Sequence, residues 1–171
     1  MEAFEIDNMP SQEGRIAIVT GANTGLGYET ALALAKKQAH VVMACRNLDK
    51  ATAAKERIIK IVPKARLEII QLDLNSLDSV RVFAKDYASQ YNSLDILINN
   101  AGLMIPPFKK TKDGFESQFG VNYLGHFLLT GLLLPLLEKT ADSRVISLAS
   151  IAHRKAKINF DNLNSEKKYS R

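Results

Sequence analysis

The chain has 171 residues, of which 46% are hydrophobic and 24% are charged. This composition is typical of a soluble globular domain and excludes a disordered, collagen-like or low-complexity chain. The formal net charge is +5, but residues 152–171 alone hold six Lys or Arg against Asp161 and Glu166. Because a basic tail on a nearly neutral body is weak evidence for a nucleic-acid partner, none is predicted.

The cysteine and histidine content argues against a metal site. Cys45 is the single cysteine, so an internal disulfide and a cysteine-rich zinc site are excluded. The three histidines, His40, His126 and His153, do not have metal-ligand spacing. We therefore predict no metal and a reducing, cytoplasmic location.

Neither the first twelve residues nor the most apolar run predicts a membrane segment. The start of the chain lacks the basic, apolar and small-residue succession of a signal peptide. The most apolar run, residues 127–137, is shorter than the roughly 20 residues that cross a bilayer. No membrane anchor is predicted.

Short apolar runs alternate with helical patterns along the chain. Strands are predicted at residues 15–20, 40–45, 66–72, 94–98 and 144–148. Four helices are predicted: residues 26–37, residues 47–61, a helix that Ser76 would cap at its N-terminus, and a helix from Asp113 to about Lys139. In the last helix, Glu116 would complete a capping box with Asp113, and Pro135 would kink or end the final turn.

The strands lack the polar alternation of a half-exposed sheet. This indicates an α/β fold, in which a parallel sheet is covered by helices on both faces. Right-handed crossovers then predict a doubly wound Rossmann order of 3-2-1-4-5, with a ligand crevice at the carboxyl ends of strands one and four. We interpret residues 1–171 as a single domain in which residues 152–171 form a polar, basic tail.

A glycine-rich turn, TGANTGLG at residues 20–27, follows the first strand and opens the first helix. Gly21 would permit the turn, Gly25 would let the backbone approach a pyrophosphate, and Gly27 would allow close packing of helix on strand. Asn23, Thr24 and Leu26 complete the predicted phosphate-binding turn. No Lys-Ser or Lys-Thr pair follows, so a P-loop nucleotide hydrolase is disfavoured. A glycine-rich turn without a ligand remains the alternative.

Three motifs in this order resemble the short-chain dehydrogenases/reductases. They are TGANTGLG, the NNAG of residues 99–102 after strand four, and Asn122 in VNYLGHF. The MACRN, VNYLGHF and SIAH segments look most like the retinol-dehydrogenase-like branch, which includes the oxidoreductase domain that elsewhere carries WW domains. The resemblance implies a nicotinamide cofactor and a small hydrophobic alcohol, aldehyde or ketone as substrate.

The residue after the second strand favours NADP(H) over NAD(H). An NAD-binding protein would place Asp or Glu there, whereas this chain has Cys45 and then Arg46, whose guanidinium can pair with a 2′-phosphate. An ordinary surface arginine is the alternative. By resemblance, further cofactor-binding residues are Asp73 and Leu74 beside the adenine and three residues of the cofactor floor, Asn99, Ala101 and Gly102.

The resemblance also implies two catalytic residues. Asn122 would bend its helix and hold a water of the proton relay, although a solvent-facing Asn is the alternative. Ser150, rather than Ser147, aligns with the catalytic serine and would hydrogen-bond the substrate oxygen; a helix cap is the alternative. We leave His126 and His153 out of the predicted site as packed or exposed histidines.

The family's Tyr-x-x-x-Lys acid/base pair does not occur among these residues, because none of the five tyrosines has Lys four positions later. We interpret the chain as an N-terminal fragment that lacks the last strands of the sheet, and we expect it to be poorly stable, inactive and able to form homo-oligomers. Two hypotheses remain open. One is a fragment of an NADP(H)-dependent oxidoreductase, and the other is a catalytically silent module that binds NADP(H) or a partner.

Overall fold

The computed structural model describes residues 5–155, 157–167 and 169. Neighbouring strands of its sheet are parallel and run in the order β3-β2-β1-β4-β5. The α/β class and the predicted strand order are therefore confirmed. The strands are β1 (Ile16–Thr20), β2 (His40–Cys45), β3 (Arg66–Gln71), β4 (Ile96–Asn99) and β5 (Arg144–Ser147).

Helices follow the strands as the hydrophobic pattern predicts. They are α1 (Gly25–Lys36), α2 (Leu48–Ile61), α3 (Leu77–Gln90) and α4 (Gly125–Lys139), the last preceded by a π-helical segment (Phe119–Leu124). The Ser76 cap is confirmed, since its side chain accepts a hydrogen bond from the backbone N–H of Ser79. Asn47 caps α2 in the same way through the N–H of Lys50.

The predicted start of the last helix at Asp113 is wrong. The Asp113 carboxylate instead accepts the N–H of Leu77, at the start of α3. The Glu116 carboxylate accepts the N–H groups of Gln118 and Phe119, each at 2.9 Å, so Glu116 itself caps the helix. The capping-box pattern could not show that Asp113 has a partner 36 residues away in the chain.

The helix does not end at Pro135, which is one of the two outcomes predicted there, because α4 continues to Lys139. A proline inside a helix removes one hydrogen bond and crowds the preceding turn. Leu133 and Leu137 on either side of Pro135 are buried in the core. Their burial holds the last turn in place.

The core has one layer on each face of the sheet. Met43 of β2 packs in one layer with Ala54 and Ile58 of α2. Phe83 and Tyr87 of α3 pack in the other, with the leucines of α4. β5 differs from the inner strands because all four of its residues are exposed and β4 is its strand neighbour in the sheet. It is an edge strand.

The basic tail has little regular structure. Among the described residues from 151 onward there are two short 3₁₀ helices, Ile151–Lys155 and Phe160–Asn162. A salt bridge of 2.6 Å between Lys110 and Glu166 holds the tail against the loop before the π-helical segment. Lys168 and Arg171, which contribute to the predicted basic surplus, lie outside the described residues.

Candidate functional site

A cleft of about 1560 Å³ opens at the carboxyl ends of β1 and β4, where a doubly wound sheet binds ligands. The structure brings nearly all of the predicted site residues to its walls. Gly25 is the exception among them, but it lies between Thr24 and Leu26, which do line the cleft. The predicted residues on the walls are Gly21, Asn23, Thr24, Leu26, Gly27, Arg46, Asp73, Leu74, Asn99, Ala101, Gly102, Asn122 and Ser150.

The glycine-rich turn packs closely on one side and is open on the other. A Cβ on Gly27 would lie 2.4 Å from the carbonyl oxygen of Gly21, so only glycine allows α1 to approach the turn this closely. Gly25 has a φ of 55°, and a Cβ there would meet no protein atom within 4 Å. The backbone at Gly25 is therefore accessible to a ligand.

The N-terminus of α1 differs from those of α2 and α3. Its N-cap residue, Thr24, makes no side-chain hydrogen bond to the first turn, which also carries no acidic residue. The first N–H groups of a helix need partners, and the helix dipole makes this end positive. An uncapped helix end beside an accessible glycine fits the pyrophosphate of a dinucleotide.

The end of β2 carries an exposed cation beside an unreactive thiol. Arg46 is exposed and lines the cleft, with its carbonyl oxygen held by the Gln71 side chain. Burial raises the pKa of the Cys45 thiol to about 11. The thiol therefore stays neutral, and Arg46 supplies the charge at this corner of the cleft.

Asp73 lines the cleft and also shapes the turn before α3. Its Oδ1 accepts the N–H of Asn75, and its Oδ2 lies 3.8 Å from Nζ of Lys112. Leu74 is buried and packs against the start of α4, because a Cβ on Gly125 would lie 3.0 Å from its side chain.

Asn99 joins three elements at the floor of the cleft. Its side-chain N–H₂ donates to Oγ1 of Thr130 on α4 at 3.0 Å and to Oγ of Ser147 on β5 at 3.3 Å. Its Oδ1 is buried and has no hydrogen-bond partner among the described residues. Because a buried amide oxygen needs a donor, Asn99 fits a ligand or water on this wall of the cleft.

Asn122 lies in the π-helical segment and is exposed toward the cleft. Its Oδ1 accepts the N–H of Leu103 at 2.8 Å, and its Nδ2 donates to the carbonyl oxygen of Leu103 at 2.9 Å. This paired contact fixes the loop that follows NNAG. Single π-helical turns within α-helices are frequent at functional sites, and here the turn surrounds the predicted asparagine.

The two serines near the end of β5 have different partners. Ser147 is engaged by Asn99. Ser150 is exposed on the cleft wall, and its Oγ accepts the N–H of Ala152, which is the capping geometry expected of the alternative. Because the hydroxyl accepts in that contact, its proton is left to donate to a ligand in the cleft.

His126 is the residue that the sequence reasoning left out and that the structure brings to the site. It is 6% exposed, lines the cleft and lies 2.9 Å from Oγ1 of Thr20 through its Nε2. Its only sequence signal is the helical spacing of four residues from Asn122. His153, by contrast, is exposed and contacts the carbonyl oxygen of Ser150.

The helical segment on the cleft wall that includes α4 is longer than the apolar run of residues 127–137. The segment Phe119–Lys139 has 21 residues and is long and apolar enough to cross a membrane by length and composition alone. In the fold, Leu129, Leu133 and Leu137 of this helix are buried in the core. The cytoplasmic location and the absence of an anchor stay predictions.

Comparison with known proteins relates nearly the whole chain to the short-chain dehydrogenases. The family model "short chain dehydrogenase" matches residues 15–167. Mouse (Mus musculus) retinol dehydrogenase 11 is 49% identical over 157 residues, which are 92% of this chain and 50% of that protein. Mouse retinol dehydrogenase 13 is 50% identical over 157 residues, which are 91% of this chain and 47% of that protein. The chain spans about half the length of these relatives.

Solved structures share the fold. An uncharacterised protein from Mycobacterium paratuberculosis has a TM-score of 0.87 and 42% identity over 99% of this chain and 58% of its own. A short-chain dehydrogenase from Escherichia coli CFT073, complexed with NADPH, has a TM-score of 0.73 and 29% identity over 86% of this chain and 63% of its own. The chain therefore belongs to the short-chain dehydrogenases and is similar to their retinol dehydrogenases.

Proposed function

We propose that the cleft binds NADP(H) for an oxidoreductase that interconverts a hydrophobic alcohol with its aldehyde or ketone. The observation that carries the proposal is the N-terminus of α1, which has no side-chain cap and begins at the accessible Gly25, between the cleft-lining residues Thr24 and Leu26. The bound cofactor would give or take the hydride. The residues of this chain would hold and orient the two reactants.

Three groups of the chain fit three parts of the cofactor. The first N–H groups of α1 would hold the pyrophosphate. Asn99, whose Oδ1 has no hydrogen-bond partner among the described residues, would lie at the floor of the cleft beneath the cofactor. Arg46 would pair with the 2′-phosphate, because it is exposed directly after β2 and neither it nor the next residue, Asn47, is a carboxylate. The NADPH in a related Escherichia coli structure supports this preference.

The walls beside Ser150 suit an apolar substrate. Met104 is 86% exposed, and Leu148 is 46% exposed on the same cleft. Ser150 would donate its hydroxyl proton to the substrate oxygen as charge develops there. Asn122 would hold the loop after NNAG against the cofactor and take part in the proton relay. The similarity to retinol dehydrogenases supports a hydrophobic alcohol as the substrate class.

A silent binding module is the second candidate. Four of the tyrosines have no Lys four residues later, and the corresponding position after Tyr169 lies beyond these 171 residues, which therefore do not contain the acid/base pair of the family. We expect these 171 residues to bind the cofactor without turnover. Oxidation of NADPH with all-trans-retinal by this chain would contradict that expectation.

Calorimetric titration of the chain tests cofactor binding. NADPH and adenosine 2′,5′-bisphosphate should bind, because both carry the 2′-phosphate that Arg46 would hold. NADH and 5′-AMP should bind at least about tenfold more weakly, which corresponds to about 1.4 kcal/mol. Equal affinities for the phosphorylated and unphosphorylated ligands would contradict the NADP(H) preference, and no binding of any of the four would contradict the proposed function.

A further inference from the structure

His126 joins two of the motifs that form the cleft. It lies on α4 one turn after Asn122, and its Nδ1 is 3.1 Å from the backbone carbonyl oxygen of Asn122. Its Nε2 is 2.9 Å from Oγ1 of Thr20, the last residue of β1. The imidazole therefore bridges the π-helical segment and the end of the central strand.

The partners of His126 fix its tautomer. A carbonyl oxygen can only accept, so the contact with Asn122 requires the proton on Nδ1. Nε2 of the neutral ring is then an acceptor. The Thr20 hydroxyl has two acceptors in reach, Nε2 at 2.9 Å and the carbonyl oxygen of Ile98 at 3.4 Å, and we assign its proton to the nearer one, Nε2. The ring is 6% exposed, and within the described residues no carboxylate forms an ion pair with it.

The same hydroxyl also fixes the start of the NNAG motif. With its proton directed at His126, Oγ1 of Thr20 has two lone pairs left. It accepts the backbone N–H of Asn100 at 2.9 Å and that of Ala101 at 2.9 Å. The hydroxyl therefore has all its hydrogen-bonding capacity in use.

The contacts of His126 also extend to the loop after NNAG. The side chain of Asn122 holds Leu103 through two hydrogen bonds, and a Cβ on Gly102 would lie 3.4 Å from Oδ1 of Asn122. His126 holds the backbone of the same asparagine. The end of β1 at Thr20 and the segment that holds Leu103 are thus joined through one imidazole.

We propose that His126 is a positioning residue, which fixes the Thr20 hydroxyl and the Asn122 carbonyl so that the NNAG loop and the π-helical segment keep the spacing that the cofactor needs. This inference rests on the proposed function. His126 would act through Thr20 and Asn122 rather than by touching the reacting atoms.

Two variants and a matched control test the role in binding. His126→Leu replaces the imidazole with an apolar side chain and so removes both hydrogen bonds, and we expect NADPH to bind about tenfold more weakly. His126→Gln can place its Oε1 near Nε2 and accept from Thr20, so it should recover part of that loss. His40→Gln alters a partly buried, hydrogen-bonded histidine at the other end of the sheet and should leave NADPH affinity unchanged.

A spectroscopic measurement on the unaltered chain tests the geometry independently of any variant. Nitrogen-15 NMR of the imidazole at pH 7.5 should show the proton of His126 on Nδ1. A proton on Nε2 would overturn the inference, and this result would decide the question even if His126→Leu failed to fold.

The binding results separate the inference from the function on which it rests. Unchanged NADPH affinity in a folded His126→Leu chain, with the unaltered chain binding normally, would overturn the positioning role and leave the proposed function intact. Failure of the unaltered chain to bind NADPH would overturn the proposed function and this inference together. A tenfold loss that Gln partly restores would support the inference.

Discussion

The two ends of the sheet each carry a histidine in a hydrogen-bonded cluster, but the clusters differ in what they leave open. At the amino end, His40 lies 3.4 Å from the hydroxyl of Tyr91, which also donates to Glu68. At the carboxyl end, the cleft that His126 lines also holds a helix N-terminus without a side-chain cap and the Asn99 Oδ1, which has no hydrogen-bond partner in the part of the chain that the structure describes. Polar groups that satisfy one another stabilise a fold, whereas those without partners mark the place for a ligand.

The largest expected effect comes from adding a side chain to the glycine-rich turn at the carboxyl end of the sheet. In Gly27→Ala, the new Cβ would lie 2.4 Å from the carbonyl oxygen of Gly21. Because backbone must move to relieve this contact, we expect a loss of about 3 kcal/mol in the free energy of unfolding and loss of NADPH binding. Urea denaturation and calorimetric titration measure the two effects.

Gly131→Ala is the matched control, since a Cβ at that helical position would meet no atom within 4 Å. We expect this change to leave the free energy of unfolding unchanged or raise it by up to about 1 kcal/mol. Equal destabilisation by the two alanines would show that the close approach at Gly27 does not matter.

Removing the cation at the carboxyl end should change cofactor choice without changing the fold. Arg46→Ala would lose a charge-assisted pair with the 2′-phosphate, so NADPH affinity should fall by about thirtyfold, or about 2 kcal/mol, and NADH affinity should stay the same. The control is Arg66→Ala, which removes an exposed arginine from the amino end. If both cofactors lost affinity equally in Arg46→Ala, the proposed pairing would be wrong.

The amino-end cluster should affect stability alone. Tyr91→Phe removes the hydroxyl that contacts Glu68 and His40 while keeping the ring that stacks on Tyr87. We expect a loss of about 1 kcal/mol in the free energy of unfolding and unchanged NADPH affinity. A change in that affinity would remove the distinction between the two ends of the sheet.

The smallest effect is a pH dependence that both histidines share. Burial lowers the pKa of His126 and of His40 below the ordinary 6.5, although Glu68 partly opposes this at His40 and Arg66 adds to it. Below pH 6.5 the unfolded chain takes up protons that the folded chain resists, so the stability present above that pH falls as the pH drops. Once the pH is below both folded pKa values, this loss stops increasing.

Thermal unfolding between pH 7.5 and 5.5 measures this dependence. His126→Gln and His40→Gln should each flatten the slope, because each removes one of the two groups. A slope that neither variant alters would show that carboxylates, not these histidines, control stability in this range.

The sequence predicts local features of the site better than distant ones. The turn at residues 20–27 and the NNAG motif at residues 99–102 can be predicted as cofactor-binding, because each is a short local pattern at the carboxyl end of a strand. The bond between His126 and Thr20 spans 106 residues of the chain, and no local pattern indicates it. The predicted start of the last helix is wrong for the same reason, since the Asp113 carboxylate accepts the N–H of Leu77 and not an N–H of the helix that follows it in the chain.

The most direct test of the difference between the two ends is an NMR titration of the nitrogen-15-labelled chain with NADPH. The backbone amide signals of Leu26, Gly27, Ala101 and Gly102 should shift, because these residues lie along the proposed cofactor position. The signals of residues at the amino end, such as Glu68, should stay in place. Shifts centred on the amino end, or none at the carboxyl end, would contradict the assignment of this cleft as the cofactor site.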